Sequence, residues 1–382
     1  MSLQSLTHSI AAYWQRVQTT LFPYLLTASL TLTPEMARLV AALDLLRIEE
    51  ALPARPVAAV GAPPADRAPL ARAFVALAVL NLPTRKALIQ RLQTDDTLRR
   101  ICGWLCPDAV PSAATFCRAF AWLADLGLAD TVHDQRVREA LGDVLVWHQA
   151  LDATAIPARE TPQPNPAPQY GRTNSGKRRK HPASGRAPGR PGKGAVVAPP
   201  RTRLERQGDQ VPEIALLELP MACDTGCKYD ADGHPDYWTG YKFHVVTNEW
   251  GIPLCAVTTA ASVHDSQVAI PLLQLTARRV TALYDLQDKA DDAAAIRQCS
   301  TALGHVPIIP AIAHGPDPPP EWEPDRARLY KGRTVAERFN ARLKDEMGGS
   351  QVRVRGVRKV HAHLMFGVLA IFADAVLRFA TA

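Results

Sequence analysis

Residues Val144–Ile156 read "VLVWHQALDATAI". The run is rich in apolar and β-branched side chains and has the length of one strand, with Asp152 near its end. An acid at a strand end is usually a turn or cap residue. In a sheet covered by helices it also stands where sites are commonly built. On its N-terminal side, residues 1–143 read as helical. "PLARAFVALAVLNLPTRKALIQRLQTDDTLRRICGW" repeats apolar residues at helical spacing and breaks at "NLP" and "TDD". "VPSAATFCRAFAWLADLG" offers a Ser or Thr start and a Gly stop. Short helices with tight breaks suit a small DNA-binding domain and suit any helical bundle.

On the C-terminal side the composition changes, from about Pro157 to Pro212. Ten of the chain's 32 prolines fall between Pro157 and Pro200, and between Arg172 and Arg206 stand eleven Lys or Arg and one acid, Glu205. Such a segment cannot bury a core, and we read it as a basic, disordered insertion. It is either a solvated linker or an arm that tracks phosphates through residues such as Lys177, Arg178, Arg179 and Lys180. A compact pattern follows. "YKFHVVTNEWGIPLCAVTTA" predicts two strands around a turn at Asn248–Gly251, and "HDSQVAIPLLQLTARR" predicts a helix. "VTALYDLQD" predicts a strand ending near Asp288, "DDAAAIRQCSTALG" a helix stopped by Gly304, and "HVPIIPAI" a strand. The last helix covers about His361–Phe379. Three consecutive strands, then alternating helix and strand, describe an α/β fold with a mixed sheet flanked by helices. Residues 144–382 form this second domain, interrupted by the insertion at about 157–212.

"YKGRTVAERFNARLK", Tyr330–Lys344, is charged around one central acid, Glu337. At about 100° per residue, Glu337 lies near 40° from Arg333, Lys344 near 20° and Tyr330 near 60°. Val335, Phe339 and Leu343 fall on the other side, facing a core. Three readings of Glu337 remain open at this point. Thr334-Val-Ala-Glu337 has the form of a capping box. Glu337 could pair with Arg333 or Arg338 on a wet surface. It could also join Asp152 and Asp288 as a metal-binding carboxylate, since Mg²⁺ prefers hard oxygen ligands and two ions about 4 Å apart suit in-line displacement at phosphorus.

The 382 residues are 47% hydrophobic, enough for a sizeable core, and carry a formal net charge of +7. The start of the chain lacks a basic segment followed by an apolar run, and the seven cysteines read as reduced and intracellular. Two C-x₃-C pairs, Cys102/Cys106 and Cys223/Cys227, have unusual spacing for structural zinc and read as free thiols. "FGVLAIFADAVLRFATA" is apolar but interrupted by Asp374 and Arg378, so it reads as a buried helix and not a membrane span.

Tyr330-x₂-Arg333-x₃-Glu337-x₆-Lys344 resembles the Y-R-E-K signature of bacterial DDE insertion-sequence transposases. "LDATAIPARE" is similar to the first-aspartate motif of that family, and "LQDKADDAAAIR" to the second. The Gly-Tyr-Lys and His-Asp-Ser stretches and the helical segment before Val144 are similar too, so the likeness covers about residues 60–375. The resemblance implies a ribonuclease-H-like fold behind an all-helical N-terminal domain. It implies a metal-binding catalytic triad of Asp152, Asp288 and Glu337, with Tyr330, Arg333 and Lys344 on DNA near the cleaved phosphate. It further implies Mg²⁺ (Mn²⁺ can substitute), terminal inverted repeats and target DNA as partners, a homodimer on DNA, and a cytoplasmic, nucleoid-associated protein. One departure stands out: the family's second motif is D-x-x-Tyr, and here Asp291 occupies the Tyr position. Asp285 and Asp291 crowd Asp288, and Asp265 is a weaker rival whose ordinary role would be helix capping. Two alternatives are an inactive transposase-derived DNA-binding protein and a nuclease of this fold without strand transfer.

Overall fold

The computed structural model describes residues 32–53, 66–163, 201–229, 232–312 and 321–381. Lys177, Arg178, Arg179 and Lys180 lie outside the described residues. Before the first strand every described element is helical: α1 Pro34–Leu46, α2 Arg67–Val79, α3 Arg85–Thr94, α4 Asp96–Cys102, α5 Ala113–Leu126 and α6 Leu128–Leu141. Five of the six begin on a side-chain cap, from Thr33, Asp66, Thr84, Asp95 and Ser112. Each cap satisfies an amide that has no partner inside its helix, worth about 1 kcal/mol.

The sheet begins with β1 Leu145–Pro157. The chain is described again from Arg201, eleven residues before the expected end of the insertion. There a short helix, α7 Arg203–Gln207, forms, and Glu205 closes a capping box with Thr202. Gln207 is fully buried, so this part belongs to the folded body. Next come α8 Pro212–Leu217, β2 Asp224–Tyr229, β3 Pro235–Asn248, β4 Pro253–Ala260, α9 Ser266–Ala277, β5 Thr281–Leu286, α10 Ala294–Ala302 and β6 Val306–Ile308. β3 is the long member: its first half pairs antiparallel with β2, and its second half lies between β1 and β4, antiparallel to both. β1, β5 and β6 run parallel, giving a six-stranded mixed sheet. Where β3 meets the end of β1, Gly240 adopts φ 154°, and a Cβ there would stand 2.1 Å from the Ile156 carbonyl oxygen. Only glycine fits that approach.

Two faces of the sheet are covered. Ala150 and Leu286, opposite one another on β1 and β5, pack under Val335 and Ala336 of α12 Thr334–Asp345. Gln149 and Asp285 point the other way, toward Ser300 on α10. The chain ends in α13 Val357–Thr381, which packs on β4, α12 and the N-terminal helices. Its Phe366 meets Phe74 and Phe120 at 5.7 and 6.3 Å, and Phe372 meets His133 at 5.7 Å. One continuous apolar cluster therefore runs through both halves of the chain. The segment Val357–Ala380 is apolar and long enough to cross a bilayer, yet 78% of its most apolar window is buried. One of the two residues that interrupt it is plainly structural: Asp374 accepts from Arg38 at 2.5 Å and from Arg342 of α12 at 2.9 Å. Each fully buried aromatic or aliphatic side chain contributes about 1.5–3 kcal/mol. The part-buried pairs of Asp374 add a smaller term, so apolar burial does most to fix α13.

A polar contact also joins the halves. His361 on α13 pairs with Asp130 on α6 at 2.7 Å and with Thr258 on β4 at 2.8 Å. Burial pulls the imidazole down, but the Asp130 carboxylate outweighs it and the net shift is upward. A histidine raised in the folded state stabilises fully below its unfolded pKa, and that contribution is lost as pH rises through the folded value. The loss in melting temperature caused by His361→Gln is therefore expected to be largest near about pH 5 and to shrink above about pH 7. Melting curves of the two proteins across that range check it.

Candidate active site

Asp152 stands in the middle of β1 and not at its end, because β3 keeps pairing with β1 as far as Pro157. The parallel partner behaves differently: β5 leaves at Leu286, opposite Ala150. Asp152 thus lies two residues past the point where the sheet opens. Its side chain shares the face of Ala150, beneath α12.

The acid stretch continues from α11 Pro324–Tyr330 through a 3₁₀ turn, Lys331–Arg333, into α12. Gly332 lets this turn approach the sheet, since a Cβ there would stand 2.8 Å from His148 Nε2. The continuous path removes the capping box. Thr334 is already helical, its hydroxyl donates to the Lys331 carbonyl at 3.1 Å, and no side chain caps α12. Glu337 instead accepts from Arg333 Nη2 at 2.6 Å. The same guanidinium reaches Asp152 through Nη1 at 3.4 Å. Asn340, one turn beyond Glu337, donates from Nδ2 to the other Asp152 oxygen at 2.9 Å. An i,i+4 ion pair contributes about 0.3–0.5 kcal/mol. The pair therefore does not hold α12 in place; Val335, Ala336, Phe339 and Leu343, buried beneath the helix, do.

Asp152 is the more enclosed acid, its side chain 24% exposed against 50% for Glu337. Burial pushes the Asp152 carboxyl up, while Arg333 and Asn340 pull it back and Glu337 adds to the rise. Burial would lower the Arg333 pKa, but Asp152, Tyr330, Asp288 and Glu337 hold the guanidinium charged. Arg333 is thus the shared counter-charge of acids from three segments. Tyr330 lies beside it, with Arg333 Cζ 6.0 Å from the ring, and packs edge-on against Trp322 at 5.0 Å. Lys344 sits at the far end of the stripe, half-buried. Its ammonium pKa is lowered by burial and then by Lys228, and Asp152 lies within its field.

Asp288 is exposed, two residues beyond β5, and caps the 3₁₀ turn Lys289–Asp291. Its rivals separate by their partners. Asp285 does not crowd the site: it faces α10, fully buried, and accepts from Gln149 at 2.7 Å, Ser300 at 2.5 Å and His305 at 3.0 Å. Asp292 pairs with Arg297 at 2.7 Å and accepts from the Ile312 amide at 2.7 Å. Asp265 precedes α9 without capping it. It pairs with Lys242 at 3.1 Å, with His244 3.8 Å away. Those residues lie opposite Ala155 and Ala153, on the face turned from Asp152. Asp291 differs from these acids: it is 5% exposed, its Oδ1 has no hydrogen-bond partner among the described residues, and after burial the Asp265 charge does most to raise its pKa.

Asn340 is the functional candidate that motif reading missed. It falls on the Arg333–Glu337–Lys344 stripe, about 20° from Arg333 in helical projection, so the projection contained it. Its Oδ1 is buried without a partner among the described residues. The carboxylate donors suit Mg²⁺ or Mn²⁺ by chemistry. As arranged here, no three His, Cys, Asp or Glu side chains among the described residues converge closely enough to hold an ion. The cysteine pairs are each divided, Cys102 and Cys223 being buried and Cys106 and Cys227 exposed.

A mixed sheet that opens at an aspartate, under a helix carrying glutamate and arginine, places the chain among α/β proteins with an acidic site at the sheet. The transposase DDE domain model matches residues 147–373, more than half of the chain, and the chain belongs to that family. A second model, Transposase domain (DUF772), matches residues 30–122, within the helical half. No curated protein and no solved structure matches the chain. The family implies a ribonuclease-H-like fold, DNA as partner and, in general, divalent metal ions.

Asp285→Ala is expected to destabilise the fold by about 2–4 kcal/mol, because it strands three buried partners at once. Urea unfolding measures it.

Proposed function

We propose that this protein is a DDE insertion-sequence transposase, which cuts DNA at the element's ends and joins the freed 3′-OH to target DNA. One observation carries the reading: a single guanidinium, Arg333, spans the Asp152 carboxylate on the sheet and the Glu337 carboxylate on the helix, within the field of Asp288. Three segments far apart in sequence meet there, with the Y-R-E-K spacing that relates the chain to bacterial elements.

Asp152, Asp288 and Glu337 are the residues that would hold the metal ions. Two bound Mg²⁺ or Mn²⁺ ions supply activation of the attacking oxygen and stabilisation of the leaving oxygen. The chain's own residues do the rest. Arg333 offers a planar fork between Asp152 and Glu337, a geometry also suited to two phosphate oxygens. Lys344 adds a point charge along the same stripe, and Tyr330, braced by Trp322, stands beside the backbone path. Asn340 orients Asp152 through its amide. The helices before Val144 form the part that recognises terminal repeats, and Lys177–Lys180 belong to a basic arm on DNA phosphates. Work at two ends calls for a homodimer on DNA, in the cytoplasm beside the nucleoid.

Cleavage of DNA bearing the terminal inverted repeats, with Mg²⁺, tests the reading. Asp152→Ala, Asp288→Ala and Glu337→Ala should each lower cleavage by on the order of a thousandfold or more, with DNA binding kept. Full cleavage by Glu337→Ala refutes its role. Tight repeat binding without cleavage by the parent protein favours an inactive DNA-binding relative, and cleavage without joining favours a nuclease. Deleting residues 172–200 should weaken DNA affinity and flatten its salt dependence, by up to about 0.9 in log–log slope for every phosphate the arm neutralises.

A further inference from the structure

The first turn of α3 carries two cations where the helix dipole opposes them. Arg85 and Lys86 directly follow the Thr84 cap, and no acid stands in that turn. Neither makes an ion pair or hydrogen bond among the described residues, and the Arg85 guanidinium only overlies the Phe120 ring at 5.7 Å. Elsewhere in the helical half Arg72, Arg91, Arg99 and Arg136 each pair with an acid.

Arg85 and Lys86 line a cavity of about 300 Å³ between the two halves of the chain. Arg353, from the segment before α13, lines it too and is equally without an ion pair or hydrogen bond among the described residues. The floor of the cavity is core, since Phe74, Phe120 and Phe366 are buried. Its accessible rim is cationic: Lys86 and Arg353 are exposed and Arg85 is half-buried. No Asp or Glu lines it among the described residues. The charge is felt inside as well. Burial lowers the His363 pKa, the Gly348 carbonyl opposes the fall, and Arg85 adds to it. Like charges gathered from two halves of a chain raise the energy of the fold unless an anion joins them.

We infer that Arg85, Lys86 and Arg353 bind backbone phosphates of the DNA that enters the acidic site. The inference rests on the function proposed above and adds a contact surface that both halves share. Met347 and Gly348, just past α12, line the same cavity, and Glu337 and Asp345 stand eight residues apart on that helix. At about 1.5 Å per residue the helix spans about 12 Å between them, the length of about three or four base pairs. One duplex can therefore lie on Arg333 and Lys344 and continue onto the three cations. Phosphates are alike at every step, so this surface adds affinity and register and no choice of sequence.

Salt titration of DNA binding by the full chain in EDTA, on a terminal-repeat duplex and on an unrelated one, tests this. Lys86→Gln with Arg353→Gln, both at exposed positions, should flatten the log–log salt slope by up to about 1.8. Adding Arg85→Gln should bring the change to as much as about 2.7, alike on both duplexes. The Gln variants should melt no lower than the parent, because repulsion is relieved. Arg85→Lys with Arg353→Lys should keep the parent slope, because the charge is kept. A parent-like slope in the Gln variants overturns the inference and leaves the proposed function standing. A loss confined to the repeat duplex overturns it too, as does a slope flattened by the Lys variant, which marks a structural role. Polyglutamate that binds the parent and not the triple Gln variant, with DNA binding unchanged, assigns the surface to an acidic protein and overturns the inference. A parent chain that binds neither duplex refutes the reading of DNA as partner, and this surface with it.

Discussion

Mutual repulsion of carboxylates is the constraint around which the molecule is organised. Asp152, Asp288 and Glu337 lie in the field of one arginine, and each close pair of like charges costs about 1 kcal/mol in water and several times that near a protein surface. Arg333 offsets part of the cost by reaching Asp152 and Glu337 together. The remainder is carried by apolar burial, since Val335, Ala336, Phe339 and Leu343 press α12 onto β1 and β5 whatever the charges prefer. Packing thus holds the acids in place against their own electrostatics, and stability at such sites is commonly exchanged for function.

The same logic extends to α13. Its side chains fill the space between the sheet and the N-terminal helices, so the two parts seen in the sequence share one core. Asp374, which looks like a flaw in an apolar run, joins Arg38 of α1 to Arg342 of α12. The helix carrying Glu337 is therefore tied to the helical half through α13, and also directly, since Asn81 donates to the Asp345 carbonyl at 3.0 Å. A change in the N-terminal helices has a short physical route to the acidic site.

Much of the fold was legible in the sequence because its signals are local. The turn at Asn248–Gly251, the caps of the N-terminal helices and the stops at Gly127 and Gly304 depend on nearby residues alone. β2 was missed: "DTGCKY" is short, polar and at the sheet edge, and it becomes a strand only by pairing with the first half of β3. Proline and charge counts placed Arg201–Pro212 in the insertion, but a capping box and a buried glutamine bring α7 into the folded body. The Thr334–Glu337 spacing suggested a cap, but the preceding turn was already helical and left no amide for it to serve.

By itself the sequence determined the chemistry that could occur: which acids exist, that Tyr330, Arg333, Glu337 and Lys344 share a helical stripe, and that strands and helices alternate around them. Spacing and periodicity are properties of one segment, so they survive without knowledge of the rest. Tertiary structure alone decided which acids meet. Asp285 and Asp288 are three residues apart, yet strand alternation buries the first under α10 and the turn after β5 leaves the second at the site. Asp152 became reachable because β5 ends two residues before it, and Asn340 became its partner because α12 crosses at that level. Such contacts depend on where neighbouring strands stop and on how a helix lies across them, and no local pattern records either.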